Sequence, residues 1–329
     1  MPPKPDVSVI VLGYNNRPYL EECLSSILSQ KGASFEVLYV DNASTDGSPD
    51  FVRSRFPPIK VVQNPENSGY AGGNNFGAKS ACGEYLLIAN PDTVAQAGWL
   101  AALLDFAKKE KASGREAIAC SKVLQADSPG TVNSMGLFMS VLGFSGSLGD
   151  GEKSAGYTKP MRVFAPTGCS FLISHELFLS LGGFDESFFM YDEDLDLGWR
   201  AANRGVPAWM VPASAILHKY KRFSNRAAPY FQTARNRMWA IRKNERGWRK
   251  AHLAAACALF SSALSLGMLM RLKPGVTRAI LSGIWEGMLA PVKPDACAGG
   301  QAHESLLGAG PSLYVFVKKF IKHFGLKKA

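Results

Sequence analysis

The six cysteines, at 23, 82, 120, 169, 257 and 297, are scattered, and no two stand in C-x-x-C spacing. That absence argues against a zinc knuckle and a redox pair, and the thiols read as buried groups in a reducing compartment. Met1 to Asp6 contains no apolar signal segment, so the chemistry is expected to face the cytoplasm. There is no internal repeat and no long low-complexity tract. Acidic residues are in deficit, with 27 Asp and Glu against 37 Lys and Arg, a net charge of +10. The excess points to an anionic partner: nucleic acid, anionic lipid or a phosphate-bearing substrate. No helix-turn-helix, zinc or RNA-binding signature accompanies the charge. Much of it lies beyond residue 218 beside apolar segments, which suits lipid and argues against nucleic acid.

What is present is a globular composition. The chain has 329 residues, 47% hydrophobic and 19% charged, enough for one large α/β domain or a core with an appendage. Val7 to Leu12 is an apolar run ending at Gly13 and predicts a buried strand. Pro18 opens a helical pattern through Leu20, Leu24, Ile27 and Leu28. Strands are predicted over 35–40, 59–63 and 85–89 and a helix over 48–55, while the Gly/Asn-rich stretch 67–77 leads into another helix. This order predicts an α/β fold whose mostly parallel sheet has right-handed crossovers and binds ligands at the carboxyl ends of its strands. Polar residues collect at those ends: Tyr14 and Asn15, Asp41 and Asn42, Asn90 and Asp92. Farther on, 98–109 predicts a helix, 128–159 loops beside the site, 164–174 a strand, 192–203 a helix and 208–211 a strand.

Three segments bear on chemistry. In Leu87 to Thr93 an apolar strand delivers Asp92 onto a stiff Pro-turn; this reads either as a metal-holding carboxylate or as a common Asx-type turn. In Phe188 to Arg200 four acids fall within five positions. Like charges repel unless a cation or a helix N-terminus absorbs them; one of these carboxylates could act as a general base. His218 follows a strand and precedes a basic run, and on its own reads as a packed or surface residue.

Taken in order, these segments resemble family 2 glycosyltransferases, close to the bacterial rhamnosyltransferase and galactofuranosyltransferase branch. The residues that carry the resemblance are Val9-Ile10-Val11 with Tyr14-Asn15-Asn16, Val40 to Ser48, Asn64 to Gly77, Asn90-Pro91-Asp92, Gly183 to Glu186 with Phe189, and Glu193 to Leu197 through Arg200. The resemblance implies a GT-A-type sheet and inverting transfer of a sugar from a nucleotide-diphosphate donor. It places Tyr14, Asn15, Asp41 and Asn42 at the nucleotide, and Gly69, Asn75 and Asn90 near the diphosphate and sugar. Asn42 and Asn90 stand where many relatives have Asp. The resemblance further implies Asp194 as the base, oriented by Glu193, and a divalent cation (Mg²⁺ or Mn²⁺) held by Asp92 and His218. Rhamnose on a thymidine carrier is the first expectation for the donor, then galactofuranose or an N-acetylhexosamine on uridine; the acceptor is a glycan or lipid-linked sugar. A sugar nucleotidyltransferase is the competing class, but Tyr14-Asn15-Asn16 does not resemble its Gly-rich, basic phosphate loop.

Residues 1–228 are expected to form the catalytic domain and 229–329 a basic, apolar, helical region. Leu253 to Met270 falls just short of the about 20 strongly apolar residues a spanning helix needs. With Arg249, Lys250, Arg271 and Lys273 flanking it, peripheral attachment to an anionic surface at the inner face of the cell membrane is favoured. The tail 314–328, with apolar residues on roughly one helical face and lysines elsewhere, suggests the same.

Overall fold

The apolar run at the start of the chain becomes β1 (Val7–Gly13), every residue of which is buried. Helices α1 (Arg17–Leu28) and α2 (Ser48–Arg55) alternate with β2 (Phe35–Asp41) and β3 (Lys60–Gln63), and α3 (Gly69–Ala78) leads to β4 (Tyr85–Ala89). Strands β1, β2, β3 and β4 pair in parallel. The computed structural model describes residues 4–219 and 227–300. The chain divides into two compact units; the first holds 1–137, 147–201 and 206–221.

In the first unit the chain continues through β5 (Thr93–Ala95), α4 (Trp99–Ala112), β6 (Ile118–Gln125) and β7 (Ser128–Ser134). Past the short strands β8 (Leu137–Met139) and β9 (Ser145–Ser147) come β10 (Met161–Val163), β11 (Ser170–Ser174), α5 (His175–Ser180), α6 (Glu193–Asn203) and β12 (Ala208–His218). The main sheet runs β10-β12-β6-β11-β4-β1-β2-β3, with β5 on β12 and β7 on β6. It is mixed: β11 lies antiparallel to both β4 and β6. Successive strand residues point to opposite faces. Val7, Val9, Val11, Leu87 and Ala89 enter the core that takes in α1 and α4, and Ile10, Leu12, Leu86 and Ile88 enter the core under α5 and α6.

Several elements differ from the sequence expectation. The Gly/Asn-rich stretch does not lead into a helix; it is the helix α3, whose small residues let it lie against β1, where a side chain at Gly73 would strike Leu12. The region 128–159, expected as loops, supplies β7 and the β8–β9 pair. Backbone pairing overrides the low β-propensity of its Gly and Ser. The strand expected over 208–211 runs on to His218 through an irregularity between Val211 and Ala215.

The second unit takes up 138–146, 202–205 and the chain beyond 221, so it draws in short pieces of the expected catalytic region. Its described helices are α7 (Ala228–Asn244), α8 (Gly247–Met270) and α9 (Pro274–Leu289). One face of α8 (Leu253, Cys257, Ser261, Ser265, Met268) is buried; Leu259, Leu266, Leu269 and Met270 are exposed. The amphipathic tail 314–328 lies outside the described residues.

Candidate active site

The carboxyl ends of β1, β2 and β4 gather the first set of polar residues. Gly13 pairs with Asp41 across β1 and β2. Asn15, at φ 54°, donates its N–H to Ser44 Oγ (3.0 Å), and its Oδ1 accepts from the Thr45 N–H (2.8 Å). Tyr14 stands half exposed beside it. Asp41 is buried, and its Oδ1 has no hydrogen-bond partner. Such an orphaned buried oxygen calls for an explanation, and a donor group on an incoming ligand is one.

Asn42 behaves differently. Its Nδ2 donates to Asn67 Oδ1 (2.9 Å) and to the Gly69 carbonyl (3.0 Å), while its Oδ1 accepts from Asn64 Nδ2 (2.8 Å) and the Ser68 N–H (3.3 Å). Both ends of its amide are thus engaged within the protein, and the residue ties the 64–69 segment to the end of β2. Gly69 sits at φ 72°, where a side chain would collide with the Phe189 carbonyl. That carbonyl accepts the Tyr70 and Ala71 N–H groups, so the start of α3 is capped by the protein itself. Asn75 accepts from the Phe184 N–H (2.9 Å) and donates to the Phe184 carbonyl (2.8 Å) and Glu186 (3.0 Å). Asn42, Gly69 and Asn75 therefore bind one chain segment to another.

On the other side of β4, the three-residue strand β5 pairs antiparallel with the end of β12, setting Thr93 opposite His218. This register brings Asp92 Oδ1 within 3.3 Å of His218 Nε2, two residues far apart in sequence. The Lys219 N–H closes the turn onto the Asp92 carbonyl (2.9 Å). His218 Nδ1 donates to Asn133 Oδ1 (2.9 Å). Burial alone would lower the imidazole, but the neighbouring Cys169 and Asp92 outweigh it and raise the group to about 10. Asn90 Oδ1 is buried without a partner.

The Asn90 N–H donates to the Cys169 carbonyl (3.1 Å). One residue earlier, the Gly168 N–H donates to Asp194 Oδ2 (2.6 Å). Two hydrogen bonds through 168–169 thus join the Asn90-Pro91-Asp92 turn to Asp194, at the start of α6. A side chain on Gly168 would press on Asp194 Oδ2 and the Tyr70 hydroxyl, so any larger residue would require the carboxylate or the ring to give by a few tenths of an ångström.

The four acids have separate fates. Asp196 is fully buried against Arg200 (2.7 Å), whose guanidinium also donates to the Leu181 and Gly183 carbonyls; that pair fixes the Gly182-Gly183 turn. Glu193 is pushed well above the usual carboxylate range by burial and by Asp194 beside it. Asp194 is raised to about 6 by burial, against the Gly168 N–H bond that favours its charge, with Asp192 adding repulsion. Asp194 is the carboxyl whose environment leaves it ionised yet basic near neutrality. Leading into it, Phe189, Tyr191 and Asp192 all sit at positive φ (61°, 72° and 63°), and the Met190 N–H bonds back to the Phe188 carbonyl in a γ-turn (2.7 Å). Backbone strain of this kind concentrates at functional sites.

Sequence reasoning missed Gly168, Cys169 and Asn133. Gly168 lies in an ordinary-looking Thr167-Gly168-Cys169-Ser170 run, and Asn133 in a stretch read as loop; neither position carries a local signal. Among the described residues, no three His, Cys, Asp or Glu side chains come together as a metal cage. Asp92 and His218 could supply a carboxylate oxygen and an imidazole nitrogen, 3.3 Å apart. Oxygen ligands with one imidazole, and positions left open for phosphate and water, fit Mg²⁺ or Mn²⁺.

A profile of the family described as Glycosyl transferase family 2 matches residues 8–195. The chain is 29% identical over 271 residues to an N-acetylglucosaminyl-diphospho-decaprenol L-rhamnosyltransferase of Mycobacterium tuberculosis, covering 74% of this chain and 87% of the relative. It is 32% identical over 228 residues to the O-antigen biosynthesis protein RfbC of Myxococcus xanthus, covering 65% of this chain and 17% of that much longer one. Among solved structures it resembles the mannosyltransferase PcManGT from Pyrobaculum calidifontis, in complex with GDP-Man and Mn²⁺ (TM-score 0.56, 21% identity, 88% of each chain). It also resembles GalNAc-T7 with UDP, GalNAc and Mn²⁺ (TM-score 0.62, 16% identity, 88% of this chain and 57% of that one). At these identities the likeness is one of fold.

Proposed function

The chain belongs to glycosyl transferase family 2 and is a glycosyltransferase, and from that premise we propose that it moves L-rhamnose, with inversion, from a nucleotide-diphosphate donor to a lipid-linked or polysaccharide acceptor. The observation that carries the reading is the join through 168–169: the Asp92–His218 pair and Asp194 flank one backbone segment. Asp194 takes the proton of the acceptor hydroxyl, whose oxygen attacks the anomeric carbon as the bond to the diphosphate oxygen breaks on the opposite face. Asp92 and His218 would hold a divalent cation, which would supply positive charge against the departing diphosphate. Asp41 and Tyr14 receive the nucleoside, while Asn15, Asn42, Gly69 and Asn75 shape the loops around donor and sugar. The relative named as a rhamnosyltransferase supports the choice of sugar.

The test is a donor-hydrolysis and transfer screen over thymidine-, uridine- and guanosine-linked sugars with Mg²⁺ or Mn²⁺. We expect dTDP-rhamnose to be turned over fastest and Asp92→Ala to lose transfer about 10²-fold or more while staying folded. Metal-independent turnover, or full activity in Asp92→Ala, rules this reading out.

The second unit carries an apolar and cationic surface of its own. Helix α8 is long and apolar enough to cross a membrane, and 28% of its apolar window is buried. Trp248 (76% exposed) and Trp285 (64% exposed) accompany the exposed α8 leucines, with Lys250, Arg271 and Arg278 exposed nearby. A helix packed along one face, apolar on the other and cationic at both ends suits lying in a membrane interface. Peripheral attachment to the inner face of the cell membrane follows, with residues 229–329 as the attaching region. Flotation with phosphatidylglycerol vesicles should recover the protein, and Trp248→Glu with Trp285→Glu should cut the bound fraction several-fold, as anchoring aromatics are lost. Equal recovery of both proteins argues against this surface.

A further inference from the structure

We propose that Asn133, on β7, is a positioning residue for the metal site: it fixes the ring and the proton of His218 so that Nε2 is presented to the cation. The inference rests on the metal reading of Asp92 and His218 above, and it adds a third strand to the site that neither the sequence pattern nor the family resemblance pointed to.

The geometry is specific. An amide oxygen can only accept, so the 2.9 Å contact between Asn133 Oδ1 and His218 Nδ1 places a proton on Nδ1. The opposite ring nitrogen, Nε2, is the one that faces Asp92 Oδ1 at 3.3 Å. A metal needs a lone pair on the coordinating nitrogen, and an imidazole keeps one on Nε2 only when its remaining proton stays on Nδ1. Asn133 holds that proton in place. The hydrogen bond also stops rotation of the ring about its Cβ–Cγ bond, which would carry Nε2 away from Asp92.

The backbone explains why this side chain reaches. Strand β7 pairs antiparallel with β6, and β6 pairs in parallel with β12. The β6–β7 ladder shifts register between Val123 and Leu124 and again between Leu124 and Gln125, close to Gln125, the partner of His218 across β6 and β12. Bulges and register shifts of this kind re-aim side chains beside sites. Val132 and Ser134 on either side of Asn133 are buried, so the strand has little freedom to move the amide away.

Outer partners of metal-bound histidines typically contribute 10- to 100-fold in metal affinity. The test is Mn²⁺ binding to the whole protein, followed by electron paramagnetic resonance of the free ion, with wild type, Asn133→Ala, Asn133→Ser, Asn133→Asp and His218→Ala. We expect Asn133→Ala to weaken Mn²⁺ binding by about 10- to 100-fold, and Asn133→Asp, which keeps an acceptor for Nδ1–H, to restore affinity near that of wild type. In turnover, the Mn²⁺ concentration for half-maximal rate should rise in Asn133→Ala, while kcat at saturating Mn²⁺ stays close to wild type. A merely structural role would move melting temperature and kcat together and would not be rescued by Asp. Asn133→Ser keeps the test open should the alanine variant fold poorly. Wild-type Mn²⁺ affinity in Asn133→Ala or Asn133→Ser, with His218→Ala still weakened, overturns this inference and leaves the metal reading standing. Undiminished binding in His218→Ala overturns both.

Discussion

Replacing Asp194 by Asn should lower kcat by about 10²- to 10⁴-fold, the range general-base catalysis contributes, without unfolding the protein. The Gly168 N–H bonds to Oδ2 and the Leu195 N–H to Oδ1; the single Asn amide oxygen can keep the Gly168 bond that anchors the start of α6, while the Leu195 N–H loses its side-chain acceptor. Burial raises the Asp194 carboxyl to about 6, above the ordinary value of about 3.9. A group shifted in this direction binds its proton more tightly when folded, so its ionised form costs stability at pH values above the folded pKa. In the Asn variant the relief of this buried charge offsets the loss of one N–H bond, so it should melt close to wild type at pH 8. The same shift sets the pH profile. The base works only when ionised, so wild-type kcat/KM should be level at alkaline pH and fall as pH drops through about 6. Burial and Asp194 beside it push the Glu193 carboxyl upward in the same direction. Retention of transfer by Asp194→Asn, or an acid limb near the unperturbed value of about 4, would contradict the assignment.

The second large effect is expected at Asn42. Asn42→Asp should destabilise this protein by about 2–4 kcal/mol at pH 8, because it removes a buried donor pair and sets a charge against acceptors. The Nδ2 group of Asn42 faces the Gly69 carbonyl and Asn67 Oδ1, both acceptors, and the orientation of the amide is fixed by two backbone groups: the Gly69 carbonyl on one side and the Ser68 N–H on the other. A carboxylate would present an oxygen to two oxygens in a buried pocket. Its folded pKa would be raised, so the penalty appears as pH rises above the unfolded value and is relieved on acidification. Thermal melts of Asn42→Asp at pH 8 and pH 4.5 should show a gap to wild type that narrows at the lower pH. A variant melting with wild type at pH 8 would mean that the 64–69 segment is not held as described.

Much of this architecture is legible in the sequence because the first half alternates apolar strands and helices of ordinary length. Val7 to Gly13, Ser48 to Arg55 and Tyr85 to Ala89 could be read almost to the residue. The half around His218 was not. Strand β5 is three residues long and carries no periodicity, yet its pairing with β12 brings Asp92 to His218. Strand β7 is mostly Ser, Pro, Gly, Thr and Asn around a single buried valine, Val132, a composition that reads as loop, and it forms a strand by pairing with β6. The four-acid cluster could be seen but not sorted. Separating the structural Asp196 from the basic Asp194 required the burial and partners of each: the Asp196–Arg200 pair is a local i,i+4 contact whose burial comes from the fold, and the Gly168 N–H that meets Asp194 is a long-range consequence of it. The departures at Asn42 and Asn90 were visible as letters. Their meaning came from hydrogen bonding: Asn42 is satisfied within the protein, and the Asn90 side-chain oxygen is left without a partner.

The account stands most directly on where a cation and a diphosphate come to rest. Crystals of the whole protein soaked with Mn²⁺ and a nucleoside diphosphate, measured at the manganese absorption edge, provide the test. The account predicts one strong anomalous peak within coordination distance of Asp92 and His218 Nε2, with the terminal phosphate between that peak and the Asp194 carboxylate. A manganese peak elsewhere, or a diphosphate lying away from the 168–169 segment, would contradict it.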